Sequence, residues 1–197
     1  MSDRHAELRS YVEQFRSLLT RLDLRQIDRA ARLLLDAYHG GRTVFCIGNG
    51  GSASTAAHLA ADLGKYATDP EVGFRALDFV SNASALSAWT NDENWTAVYR
   101  RVLMPWVRDG DVVVAVSVHG GSGWSDNLVE ALTLARERRL RTIGLSGAGG
   151  GAFERVCDVS IVVPTPPAPL VTPLTESAHL LIAHLICRRI RDLLGLP

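Results

Sequence analysis

Residues 43–52 read Thr43-Val44-Phe45-Cys46-Ile47-Gly48-Asn49-Gly50-Gly51-Ser52. The run from Thr43 to Ile47 is short, apolar and β-branched, the signature of a buried strand. Glycines then permit a tight turn, and from about Ser52 to Tyr66 the apolar spacing becomes helical. A strand with no polar face that feeds directly into a helix is the repeating unit of a parallel sheet covered on both sides.

The pattern recurs downstream. Phe74 to Phe79 is a second strand candidate, followed by helices over Ala83 to Trp89 and Trp95 to Val107. Asp111 to Val116 is the clearest strand, and a helix runs from about Ser125 to Arg138. Further strands are expected over Arg141 to Leu145 and Ser160 to Val163, separated by the glycine-rich Gly147 to Gly151. Pro164 to Pro173 contains five prolines and must be a loop, and a long apolar helix closes the chain from Leu174 to Leu194. Upstream, residues 3–21 and 24–39 are amphipathic helices carrying Leu8, Val12, Phe15 and Leu18, then Ile27, Ala30, Leu33 and Leu34. The expectation is one α/β domain over residues 1–197 with about five parallel strands. Residues 1–40 form a helical extension whose apolar faces exceed what such a sheet needs, so a homo-oligomer is expected, with a tetramer favoured.

Composition narrows the functional classes. Lys plus Arg and Asp plus Glu are both 21, which gives no electrostatic case for nucleic acid or an anionic membrane surface. No apolar run reaches the ~18 residues of a membrane span, and the charged opening Met1-Ser2-Asp3-Arg4 has no signal-peptide core. Cys46, Cys157 and Cys187 are far apart and odd in number, as in a reducing compartment. A cytoplasmic protein is expected.

Ligands of open parallel sheets sit outside the carboxyl ends of the strands. Two turns there carry chemistry. In Gly48 to Ser52 the glycines let a ligand approach the backbone, and the helix start favours an anion. This turn also fits a weak dinucleotide fingerprint, Gly48-x-Gly50-x-x-Ala53, with Asp78 closing the next strand. Otherwise it is a tight strand-to-helix turn with Ser52 as helix cap. The second turn is Ser117-Val118-His119-Gly120-Gly121-Ser122-Gly123-Trp124-Ser125. Hydroxyls on both turns suit the terminal oxygens of a phosphate, whereas a dinucleotide needs only the first turn. Trp124 could serve packing alone. His58 and Asp62 stand at i and i+4, one helix face, where they can bind a divalent metal or couple as acid and base. Glu176 and His184, eight residues apart, also lie near one face of their helix. Thr175 faces away from His184. Taken singly, each histidine reads as an ordinary core or surface residue.

These residues resemble the sugar isomerase (SIS) domain family and, within it, the phosphoheptose isomerases. The resemblance rests on Cys46 to Ser52 with His58, on Thr90-Asn91-Asp92, on the phosphate-loop pattern of Ser117 to Ser122, and on Glu176 to His184, and it covers about residues 8–194. It implies a three-layer flavodoxin-like fold whose N-terminal helices pair between subunits. The implied reaction is aldose–ketose isomerisation of sedoheptulose 7-phosphate to D-glycero-D-manno-heptose 7-phosphate through an ene-diolate. By position, Ser52, Ser117, His119 and Ser122 would hold the phosphate. Asn49, Asn91 and Asp92 would touch the sugar, with Gly50, Gly51 and Glu176 also in substrate contact. His58, Asp62, Glu176 and His184 would bind a divalent metal, zinc favoured, and Asp62 and His184 would be the acid–base pair. The chain departs from the family pattern in four places: Asp62 replaces the usual Glu, Glu176 falls where Gln is common, His119 replaces a serine, and residues 122–125 read as a short insertion. The alternative is a non-catalytic SIS protein that binds phosphosugars or associates with a replication initiator.

Overall fold

The computed structural model describes residues 5–69, 71–165 and 169–197. Helices α1 (Ala6–Leu19) and α2 (Leu24–His39) precede β1 (Thr43–Gly48), α3 (Gly51–Lys65), β2 (Arg75–Asp78), α4 (Ala83–Asp92) and α5 (Val98–Leu103). Then follow β3 (Val112–Val116), α6 (Asp126–Glu137), β4 (Arg141–Ser146), α7 (Phe153–Val156), β5 (Val159–Val162) and α8 (Val171–Leu193). All five strands are parallel, in the order β2-β1-β3-β4-β5. This is the flavodoxin-like order, and its switch point falls between β1 and β3. The two turns singled out in the sequence therefore flank the crevice where such sheets bind ligands.

Alternate residues of the central strands enter different cores, which is why those strands lack a polar face. Val44, Cys46, Val112, Val114, Val116, Ile143 and Leu145 pack under α2, α3 and α8. Phe45, Ile47, Val113 and Ala115 pack on the opposite face with Tyr99, Val102, Leu128, Leu132 and Phe153 from α5, α6 and α7. The result is three layers, helices on both faces of one sheet.

The strands lie within a residue or so of their sequence positions. The differences sit where local signals conflict. The short α7 lies just beyond the glycine-rich run that marked a loop. The Trp95 to Val107 helix is confined to Val98–Leu103. Helix α8 begins at Val171 instead of Leu174 because Pro173 sits in its first turn, where the missing N–H costs nothing. The start of the residue 3–21 helix and part of the Pro164 to Pro173 loop lie outside the described residues.

Helix α4 buries none of its residues in its own chain. On and beside it, Trp89, Trp95 and Trp106 are exposed. Leu8 and Val12 on α1 are 67% and 62% exposed. No described helix is long and apolar enough to cross a membrane.

Candidate active site

The first turn is fixed from behind. The buried Tyr99 hydroxyl donates to the Gly48 carbonyl, and burial pushes its pKa up to about 12, so it remains a neutral donor. The Asn49 side chain forms a reciprocal amide pair with Asn127, at 2.9 and 3.0 Å. Asn127 is fully buried and also accepts the Leu128 N–H at 3.0 Å, so the end of β1 is tied to the first turn of α6.

Between the two turns lies a cavity of about 170 Å³ lined by Asn49, Ser52, Ser117, His119, Trp124, Ser125, Thr172 and Glu176. That is below the ~300–1,000 Å³ of a whole-ligand pocket and suits one end of a ligand. Gly50, not Ser52, caps α3. Among the described residues, the hydroxyls of Ser52 and Ser117 make no hydrogen bond although both residues are buried. The Ser125 hydroxyl caps nothing either. Neither the Ser52 nor the Ser117 hydroxyl is a buried unpartnered atom, so both open onto the cavity, where an anion rich in acceptors can meet them. The convergence of two turns on one cavity also disfavours the dinucleotide alternative.

Ser122 is the exception to the expected set. It is exposed at the tip of its loop and does not reach the cavity; Ser125 takes the place on the wall. Gly120, Gly121 and Gly123 all have positive φ, and the turn they make carries Ser122 outward. The short insertion that the resemblance implies over residues 122–125 is the signal that could have found this shift.

Ten ångströms or so along α3, a second group assembles. His58 Nε2 lies 2.9 Å from His184 Nε2 and 3.2 Å from Asp62 Oδ2, and His184 Nε2 is 3.6 Å from Asp62 Oδ2. All three ligand atoms fall within 4.8 Å of one another. Tetrahedral zinc with ~2.0–2.1 Å bonds spaces its ligand atoms by about 3.3 Å, which these separations bracket. The donor set, two imidazoles and a carboxylate, fits a divalent ion with a position left for substrate or water. The group opens to a cavity of about 550 Å³ bounded also by Tyr66, Leu185 and Arg188.

Glu176 does not join this group. Sharing a helix face with His184 is not proximity: eight residues separate them by about 12 Å along the axis. The Glu176 carboxylate packs instead against Gly51, so closely that a Cβ there would collide with it. Thr175 is buried and donates to Thr165 Oγ1 at 3.2 Å, so Glu176 is the one that faces the cavity. Helices α3 and α8 thus run side by side, with Gly51 against Glu176 at one end of the seam and His58 against His184 at the other. Asn91 and Asp92 are exposed at the end of α4, bonded to each other at 3.0 Å, and line neither cavity. Gly50 lies in the first turn with φ of 55°.

Comparison with known proteins agrees with this fold. The SIS domain profile matches residues 10–147, more than half of the chain, so the protein belongs to the SIS-domain family. A phosphoheptose isomerase from Geobacter sulfurreducens is 40% identical over 158 residues, which cover 80% of this chain and 79% of that one. The chain belongs with the phosphoheptose isomerases within the SIS family. The lincomycin biosynthesis protein LmbN of Streptomyces lincolnensis is 45% identical over 161 residues, 80% of this chain; the match spans only 58% of that longer relative. The solved structure of phosphoheptose isomerase GmhA from Neisseria gonorrhoeae superposes with a TM-score of 0.81 at 29% identity, covering 95% of this chain and 96% of that one.

Proposed function

We propose that the protein is an aldose–ketose isomerase that converts sedoheptulose 7-phosphate to D-glycero-D-manno-heptose 7-phosphate. The observation that carries this reading is the pairing of a phosphate-sized pocket, lined by unpaired hydroxyls, with an acid–base group about 10 Å along the same helix seam. An extended seven-carbon sugar phosphate can lie along that seam with its phosphate between the two turns and its carbonyl end at His58, Asp62 and His184.

In this arrangement Ser52, Ser117 and Ser125 donate to the phosphate oxygens, with His119 beside them, and Asn49 and Glu176 meet the sugar hydroxyls. Isomerisation requires a base to take the proton from C1, an acid to protonate oxygen, and return of the proton at C2. Asp62 and His184 are within reach of one another and divide those roles, and His58 orients Asp62. A divalent ion held by His58, Asp62 and His184 would polarise the carbonyl and stabilise the ene-diolate. Imidazole with carboxylate suits zinc.

The working form is a homo-oligomer, with a tetramer favoured. Leu8 and Val12 on α1 and Trp89 on α4 are exposed in one chain, and a neighbouring copy that covers α4 would also bring Asn91 and Asp92 to a site. The balance of acidic and basic residues fits a small-molecule enzyme, and the three scattered cysteines support a cytoplasmic one. A non-catalytic phosphosugar binder would have no use for the group formed by His58, Asp62 and His184.

The test is direct. Purified protein is incubated with sedoheptulose 7-phosphate, and aldose formation is followed by proton NMR, before and after chelation and after zinc is restored. Turnover that chelation abolishes and zinc restores is the expected result. Binding of the sugar phosphate with no exchange of its C1 proton into solvent water would leave only a binding protein.

A further inference from the structure

The loop that carries Trp124 has a fixed base and a free tip. At the base, Gly120 and Gly121 have no room for a side chain: a Cβ at Gly120 would strike the Gly150 backbone, and one at Gly121 would strike Val129. Phe153 N donates to the Gly120 carbonyl at 3.0 Å, which locks the base to the neighbouring loop. At the tip, Gly123 has open space around it and a positive φ of 69°. Trp124 follows, 67% exposed, yet it forms part of the wall of the phosphate-sized cavity. Its indole stands 5.7 Å from the His119 imidazole, tilted by 30°. A large aromatic ring left in water at a pocket mouth, and not used by either core, gains most by covering an apolar surface that arrives with the ligand. The C–H faces of a sugar chain are such a surface.

We propose that Trp124 is a specificity-determining residue whose indole, braced by His119, covers the carbon chain next to the phosphate and so selects a phosphorylated sugar over a bare phosphate. The proposal rests on the sugar-phosphate reading of the pocket. Both members of the pair fall where the resemblance implies a departure from the family pattern: His119 at a serine position, and Trp124 in the segment that reads as an insertion. The fixed base keeps Ser117 in place for the phosphate, and the free tip lets the indole settle on the chain after the phosphate has docked.

The experiment compares wild type with Trp124→Ala and Trp124→Phe on two ligands, sedoheptulose 7-phosphate and inorganic phosphate. For Trp124→Ala, KM for the sugar phosphate should rise about fivefold or more, whereas the inhibition constant of inorganic phosphate should stay within about twofold. Trp124→Phe should recover most of the loss because it keeps an aromatic face. An unchanged KM in Trp124→Ala overturns the proposal, and so does a parallel weakening of inorganic phosphate, which would make Trp124 only a wall of the anion pocket. If wild type binds sedoheptulose 7-phosphate without turning it over, the isomerase reading fails alone. Dissociation constants of the same two ligands, measured by calorimetry, then replace KM and the inhibition constant, with the same results supporting or overturning the role of Trp124.

Discussion

Asn49 and Asn127 exchange hydrogen bonds through both ends of their side-chain amides, Nδ2 to Oδ1 in each direction, at 2.9 and 3.0 Å. The pair joins the turn after β1 to the start of α6 across the switch point of the sheet. It therefore helps set the distance between the hydroxyls of Ser52 and Ser125, while Ser117 is placed by the pairing of Gly48 with Val116 in the sheet. Asn127→Ala should destabilise the fold by about 1–3 kcal/mol, because it leaves partners of a buried amide unmatched. It should also raise KM for the sugar phosphate more than it lowers kcat. Urea unfolding and steady-state kinetics measure the two effects separately, and a variant as stable as wild type would show that the turns are held apart by other means.

The two serines of the inserted loop make opposite predictions. Ser125 is on the cavity wall and Ser122 is exposed at the tip. Removing one hydroxyl that donates to a charged phosphate costs about 1.5–3 kcal/mol, so Ser125→Ala should raise KM roughly 10-fold or more. Ser122→Ala should change it by less than about twofold. The reverse ranking would restore the spacing expected from the sequence.

Asp62 is the test of chemistry. Asp62→Asn keeps the size of the side chain and removes the base. Turnover should fall roughly 10²-fold or more, while the affinity for inorganic phosphate at the distant pocket should persist. The side chain is one methylene shorter than the family's usual Glu, and contact with both imidazoles at 3.2 and 3.6 Å shows that it still reaches them. Wild-type turnover in Asp62→Asn would move the base elsewhere.

The sheet was legible in the sequence because its central strands, β1 and β3, are apolar on both faces, and a sheet covered by two helical layers accounts for that. Ser52, Ser117, His58 and Asp62 were legible for a related reason: strand-end turns and i,i+4 pairs are local patterns, and local geometry survives folding, whereas His184 entered the site only through the family resemblance. What local patterns do not carry is position along an axis or across a gap. Glu176 and His184 share a face yet lie two turns apart, so only the structure separates Glu176 from the His58 group. Asn127 lies 78 residues from Asn49, and no spacing rule connects them. The Ser122 to Ser125 shift arises from three positive-φ glycines, whose path through space the sequence does not specify.

His179 gives a pH dependence of stability. It is fully buried on α8, and neither ring nitrogen has a hydrogen-bond partner among the described residues. Burial lowers its pKa to about 4; the nearby Ser146 backbone acts in the opposite direction, without meeting hydrogen-bond geometry. In the unfolded chain the ring titrates near 6.5. Between those values the unfolded state binds the extra proton, so stability is full above about pH 6.5 and falls as pH drops toward 4. The loss is about 3 kcal/mol at most. Urea midpoints at pH 7 and pH 5 measure it. His179→Leu should flatten the dependence over this range, and an unchanged slope would assign it to other groups.

The last prediction concerns the faces left open by one chain. Leu8 and Val12 lie one turn apart on α1 and are 67% and 62% exposed, while of the α1 residues only Leu18 is buried in its own chain. Two large side chains on one stripe of a helix otherwise held by its far end are a poor arrangement for a monomer. They suit the packing of α1 against a second copy. Replacing both by glutamate would place charges in an apolar contact, where unpaired charge is strongly disfavoured, and the interface should open. Light scattering should then report a lower mass than wild type at the same micromolar concentration, with the far-ultraviolet spectrum of the fold retained. If a neighbouring copy supplies Asn91 and Asp92, turnover of the sugar phosphate should fall with the mass, because a lone chain presents those side chains to solvent. A double variant that keeps the wild-type mass would remove α1 from the interface. A lone-chain mass with full turnover would show that Asn91 and Asp92 act, if at all, within their own subunit.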